Sequence, residues 1–165
     1  MARLMLLRHA KADWAEPGQR DFDRVLAADG IEECKSIGQL MLDHNLAPPN
    51  VICSEAVRAT QTLEHVRTVA QWDTTISFER DLYATDAPGY LEIAATSGAT
   101  GDIMLIGHNP MMEDLAYGLS HEGDAEAMDA LNMGFRTCGL AVIRFDGEIK
   151  DAASQSGYLE KYLTP

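Results

Sequence analysis

Two short apolar runs in this chain each lead to a histidine. Leu4-Met5-Leu6-Leu7 runs through Arg8 to His9, and Ile103-Met104-Leu105-Ile106 runs through Gly107 to His108. Four consecutive apolar residues between polar flanks suit a strand buried on both faces. Such strands need helices above and below them, so the two runs predict a parallel sheet inside an α/β layer structure. Both histidines then project at one edge of the sheet. Groups that handle ligands collect there, beyond the carboxyl ends of the strands.

The rest of the chain fits that frame. Ile31, Cys34, Ile37 and Met41 recur at helical spacing and predict a helix over residues 30–44. Val51-Ile52-Cys53 reads as a strand, with Ser54 capping a helix that carries Ala59, Leu63, Val66 and Ala70 on one face. Residues 75–79 read as a weaker, peripheral strand, 81–89 as loop, 88–96 as a short helix and 125–131 as another. Asn109 is expected to cap a helix with Pro110 at its first position, followed by the apolar stripe Met112, Leu115, Ala116 and Leu119. Asp146-Gly147 marks a hairpin between strands at 140–145 and 148–152. The expected architecture is a three-layer α/β/α domain spanning residues 1–165. Its central sheet is mostly parallel, with an antiparallel edge.

Charge narrows the function classes. Thirteen basic residues face 26 acidic ones, a net charge of −13. Nucleic acid is an unsuitable partner, because phosphate backbones need clustered Lys and Arg. No apolar stretch has the length of a membrane span, and none forms a signal-peptide core. Cys34, Cys53 and Cys138 make no CxxC pair and are odd in number, so neither a disulfide framework nor a zinc site is expected. Reduced thiols suit a cytoplasmic setting. Oligomeric state is left open.

In so acidic a chain the basic residues near strand ends are informative. Arg8 and His9 stand at one strand end. Ser54 and, one helical turn on, Arg58 stand at a second, and His108 and Asn109 at a third. Two guanidinium groups, two imidazoles and a helix start make an anion site, and planar guanidinium forks suit phosphate oxygens. Lys11 and Arg24 are candidate phosphate contacts, each also readable as an ordinary loop cation. His44, His65 and His121 are expected to be solvated or capping, and Glu113 and Asp114 to face solvent. Four residues stand between Cys53 and Arg58, one fewer than a cysteine-phosphatase loop needs, and no glycines accompany them.

Arg8-His9-Ala10 resembles the first motif of the histidine phosphatase superfamily, which has the phosphoglycerate mutase-like fold. Ser54-x-x-x-Arg58-x-x-Gln61-Thr62 resembles the second motif and Gly107-His108 the third. Arg24-Val25-Leu26 with Gly30 is similar to the segment before the family's first helix. Small size and the opening Arg8-His9-Ala10-Lys11 most resemble the short branch named for the SixA phosphohistidine phosphatase.

That resemblance implies a metal- and cofactor-independent hydrolase with His9 as nucleophile, passing through a phosphohistidine intermediate. Arg8, Arg58 and His108 would hold the transferring phosphoryl group, assisted by Ser54, Asn109, Arg24 and Lys11. Larger members carry an acidic residue as general acid on an inserted segment. Here the matching region, residues 80–101, is short, and Asp86 is the candidate, with Asp81 and Glu92 behind it. A weak general acid favours a good leaving group, so the expected substrate is phosphohistidine on a protein. Two alternatives stand beside it: a phosphatase for small phosphate esters, and a module that binds a phosphorylated partner without hydrolysing it.

Overall fold

The computed structural model describes residues 1–154 and 157–165. Seven strands form one sheet in the order β3-β2-β4-β1-β6-β7-β5. They are β1 (Ala2–Arg8), β2 (Asn50–Ser54), β3 (Thr75–Glu79), β4 (Ile103–Gly107), β5 (Ser120–Gly123), β6 (Leu140–Phe145) and β7 (Gly157–Leu163). β1, β2, β3 and β4 run parallel to one another. β6 is antiparallel to both of its neighbours, β1 and β7, and β5 pairs parallel with β7. The antiparallel strand therefore lies inside the sheet.

The two founding runs lie side by side. Leu4 to Leu7 pair in register with Ile103 to Ile106, and Arg8 pairs with Gly107. Side chains alternate between faces along each strand. Met5, Leu7, Met104 and Ile106 pack with Cys34, Ile37, Leu63 and Val66 of α1 (Ala28–Asp43) and α2 (Val57–Ala70). Leu4, Leu6, Ile103 and Leu105 pack on the opposite face. Their partners come from α3 (Ala87–Thr96), α4 (Met111–Leu119) and α5 (Ala125–Asn132). Leu4 to Leu7 and Met104 to Ile106 are wholly buried. Each such side chain contributes roughly 1.5–3 kcal/mol of transfer free energy. The layers are thus α/β/α, as the apolar runs required.

Several local expectations need correction. Asp146-Gly147 does turn the chain, but residues 149–154 form a 3-10 segment, and the strand pairing with β6 begins only at Gly157. Ser54 does not cap α2. The helix starts at Val57 with Ala56 in the cap position, and the Ser54 hydroxyl is engaged with His108. Asn109 does not cap α4 either. Pro110 occupies that position, and the Asn109 amide instead donates to the Phe135 carbonyl at 3.1 Å. β5 had no apolar alternation to announce it. Its residues are Ser120, His121, Glu122 and Gly123.

Candidate active site

Adjacent parallel strands β1 and β4 end together, and that juxtaposition builds the site. The His9 N–H donates to the Gly107 carbonyl at 3.0 Å, continuing the β1–β4 ladder to the histidine. The rings of His9 and His108 lie 5.2 Å apart between centroids. Gly107 is needed where it is: a Cβ there would meet the Tyr90 hydroxyl at 2.6 Å. That hydroxyl accepts from the His108 N–H at 3.1 Å and donates to the Leu82 carbonyl.

The His9 ring has one committed nitrogen. Its Nδ1 lies 2.7 Å from the Ala10 carbonyl oxygen, which only accepts, so Nδ1 carries the proton. Nε2 is then the ring's lone-pair nitrogen, and Arg58 Nε donates to it at 3.3 Å. Burial, with the Arg58, Arg8 and Arg24 charges adding to it, pulls the His9 pKa down to about 4 against the opposing Ala10 hydrogen bond. His9 is neutral at pH 7.

His108 is buried, and burial together with the neighbouring His9 and Arg58 lowers its pKa to about 3. Its Nε2 lies 2.8 Å from Ser54 Oγ, which also accepts from the Ala56 N–H at 3.3 Å. Among the described residues, the His108 Nδ1 is buried without a protein partner, as are Arg8 Nε and Asn109 Oδ1. Three unpaired polar atoms around one cleft are costly unless a ligand or water meets them.

Arg58 enters from the first turn of α2. Its Nη1 donates to the Asp21 carbonyl at 2.7 Å and its Nη2 to the Asp21 carboxylate at 3.0 Å. Asp21 also receives Tyr83 Oη at 2.8 Å and Arg24 Nη1 at 3.1 Å. Partial burial works against ionisation of Asp21, but these hydrogen bonds and the Arg58 charge outweigh it and hold the pKa at about 2. Gln61 and Thr62, one turn further along α2, tie the site to the chain around it. Leu26 N–H donates to Gln61 at 2.8 Å, and Ala10 N–H donates to Thr62 at 3.0 Å.

Arg8 is anchored from the other side, where its Nη1 donates to the Phe135 carbonyl at 2.8 Å. Phe135 N–H in turn donates to Glu113 at 2.8 Å. Glu113, expected to face solvent, is thus a support for the loop that orients Arg8. The segment 134–139 also supplies Thr137 to the cleft. Neither that loop nor Asp21 was found from the sequence. The only signals were glycines at 134 and 139 and an aspartate in a polar stretch.

The cleft measures about 400 Å³. It brings together Arg8, His9, Arg58, His108 and Asn109, with Lys11 and Arg24 at its margin. Ser54 is buried behind His108 and reaches the cleft only through that ring. Asp86 is placed elsewhere. Its carboxylate accepts from the Gly89 N–H at 2.9 Å and caps α3. Asp81 and Glu92 are likewise outside the lining, so none of the three expected acids reaches the cleft. Among the described residues, no group of three or more His, Cys, Asp or Glu side chains converges to hold a metal ion. No helix among them is long and apolar enough to cross a membrane.

Fold and site together define an α/β protein that gathers cations and neutral imidazoles at paired strand ends, the constellation for handling a phosphoryl group. The chain belongs to the histidine phosphatase superfamily (branch 1), whose family model matches residues 4–90. An uncharacterized protein of Mycobacterium tuberculosis (strain ATCC 25618 / H37Rv) is 33% identical over 163 residues, covering 96% of this chain and 99% of the relative. The Agrobacterium tumefaciens protein assigned as phosphohistidine phosphatase SixA is also 33% identical. It superposes with a TM-score of 0.84 over 99% of this chain and 98% of that one. A protein histidine phosphatase SixA, solved with tungstate, shares the fold at 20% identity, with a TM-score of 0.76 over 99% and 97% of the two chains.

Proposed function

We propose that this chain is a phosphatase that passes a phosphoryl group from phosphohistidine on a protein to His9 and then to water. The observation that carries the reading is the His9 tautomer. Nδ1 is fixed on the Ala10 carbonyl, so Nε2 is the available nucleophile, in a cleft lined by guanidinium groups. The 33% identity to the Agrobacterium protein assigned as phosphohistidine phosphatase SixA supports the same substrate class.

The reaction balances in two displacements. In the first, the Nε2 lone pair attacks phosphorus in line. The P–N bond to the substrate imidazole breaks, and its electron pair stays on the departing nitrogen. With a proton on its other nitrogen, that ring leaves neutral. In the second, water attacks the phosphorus on His9, Nε2 recovers its electron pair, and the excess proton passes to phosphate or solvent. Arg8, Arg58 and His108 stabilise the equatorial oxygens as charge redistributes, while Asn109, Arg24 and Lys11 add polar contact and positive potential. Ser54 fixes the His108 ring.

The acid-base inventory of the cleft points to the P–N bond. An alkoxide leaving group needs a proton donor, and the residues lining the cleft include no carboxyl group. Asp21, the nearest carboxylate to Arg58, is held ionised. Imidazole, with an ordinary pKa near 6.5, departs without such help. The test compares kcat/KM for a phosphohistidine-bearing protein with that for an alkyl phosphate. A preference of about 100-fold or more for phosphohistidine is expected, about 2.7 kcal/mol in the barrier. Equal or faster turnover of the alkyl ester would point to the small-ester phosphatase instead. Binding of the phosphoprotein without turnover would point to the non-catalytic module.

A further inference from the structure

Trp14 is 89% exposed although it is among the largest apolar side chains in the molecule. It is not on a loose loop. Asp13 N–H donates to the Val25 carbonyl at 2.9 Å, and Ala12 pairs with Leu26 in an antiparallel bridge. The Arg24 guanidinium lies 5.8 Å from the indole centroid and is itself held by the Asp13 carbonyl at 2.8 Å and the Asp21 carboxylate at 3.1 Å. The backbone on either side of the indole is thus held in place, and Arg24 lies against the ring, while the indole itself stays open to solvent.

Its position says what it contacts. Trp14 lines the catalytic cleft and also an adjoining cavity of about 390 Å³, which Asp13 and Asp29 help to enclose. His9 lines the same cleft and is far less exposed than Trp14. In-line transfer places the leaving group opposite Nε2, hence toward the mouth, where Trp14 stands.

We propose that Trp14 forms the wall of a leaving-group subsite that takes the planar, cationic ring of a phosphohistidine. The inference rests on the function proposed above. A phosphohistidine ring ready to depart carries a proton and a positive charge. The indole face attracts cations and stacks on flat rings. Beyond it the Asp13 carboxylate adds negative potential, while the Asp29 carboxylate is paired with Lys11 at 3.4 Å. A sugar or alkyl leaving group meets neither kind of complementarity.

The test uses two substrates with the same phosphoryl group. One is a phosphohistidine peptide, whose leaving group is an imidazole; the other is phosphoramidate, whose leaving group is ammonia. Trp14→Ala is expected to lower kcat/KM for the peptide about 10-fold, mostly through KM, the scale of one good cation–π contact. Phosphoramidate turnover should stay within about twofold, and Trp14→Phe should recover most of the loss. An equal fall on both substrates, or no fall on the peptide, would overturn the subsite. Failure of the underlying function would show differently, as a wild-type preference for alkyl phosphate whatever stands at position 14.

Discussion

Asp21 holds the Arg58 guanidinium twice, with its backbone carbonyl on Nη1 at 2.7 Å and its carboxylate on Nη2 at 3.0 Å. That hold turns Nε of Arg58 toward the His9 ring, which it meets at 3.3 Å, and leaves a second N–H free on each Nη. Asp21 thereby decides which edge of the guanidinium a phosphoryl group encounters. Tyr83 and Arg24 complete the clamp by binding the same carboxylate.

Removing the clamp should loosen Arg58 without removing it. Asp21→Ala is expected to lower kcat/KM about 10-fold, mainly by raising KM, since the Asp21 side chain is half exposed and its ion pair is partly screened. Steady-state kinetics on a phosphoramidate check this. Unchanged parameters would mean that packing and the residue-21 backbone carbonyl orient Arg58 without the carboxylate.

The two imidazoles make a pH prediction. His9 and His108 have folded pKa values of about 4 and about 3, both below the ordinary 6.5. Between those limits the unfolded chain binds more protons than the folded one, so their contribution to stability is complete above about pH 6.5 and is lost as pH falls through 4 and 3. The acid limb of kcat/KM, which reports the free enzyme, should likewise lie near pH 4. Ring titration followed by NMR reads both groups directly. Midpoints near 6.5 would contradict the burial-driven neutrality of the site.

Among the described residues, Ser54 is the one protein partner of the His108 ring nitrogens. Ser54→Ala would leave both nitrogens of a buried imidazole unpaired. A stability loss of about 1–3 kcal/mol is expected from equilibrium urea denaturation, the usual cost of an orphaned buried polar group. A change below about 0.3 kcal/mol would show that the ring finds water instead.

Asp86 separates a capping role from an acid-base one. Asp86→Ala removes the acceptor for the Gly89 N–H and should cost about 1 kcal/mol of stability. Turnover at saturating substrate should remain within about twofold of wild type. A large fall in kcat on an alkyl phosphate, recovered with an activated aryl ester, would restore Asp86 as a proton donor.

What could be read in the chain beforehand divides along physical lines. The runs ending at Leu7 and Ile106 are short, wholly apolar and buried on both faces. They therefore announced β1, β4 and their histidines without tertiary knowledge. The spacing from Ser54 to Arg58 placed a guanidinium one helical turn past a strand end, which is where it stands. The supports were not legible, because they are pairings between residues distant in sequence. Arg58 with Asp21 and Arg8 with Phe135 are contacts of 37 and 127 residues' separation, with no periodicity to reveal them. Ser54, Asn109 and Asp86 failed for a related reason. Each can cap a helix or bond elsewhere, and only the fold decides. Ser54 turned to His108 and Asn109 to Phe135, while Asp86 became the cap.

The most direct measurement is intact-mass analysis after rapid quench with phosphoramidate, on wild type and on His9→Ala, with the phosphorylated nitrogen identified by NMR. The account predicts a transient, acid-labile adduct of one phosphoryl group on Nε2 of His9, absent from the variant, because Nδ1 is committed to the Ala10 carbonyl. An adduct on another residue, or turnover that persists undiminished in His9→Ala, would contradict it.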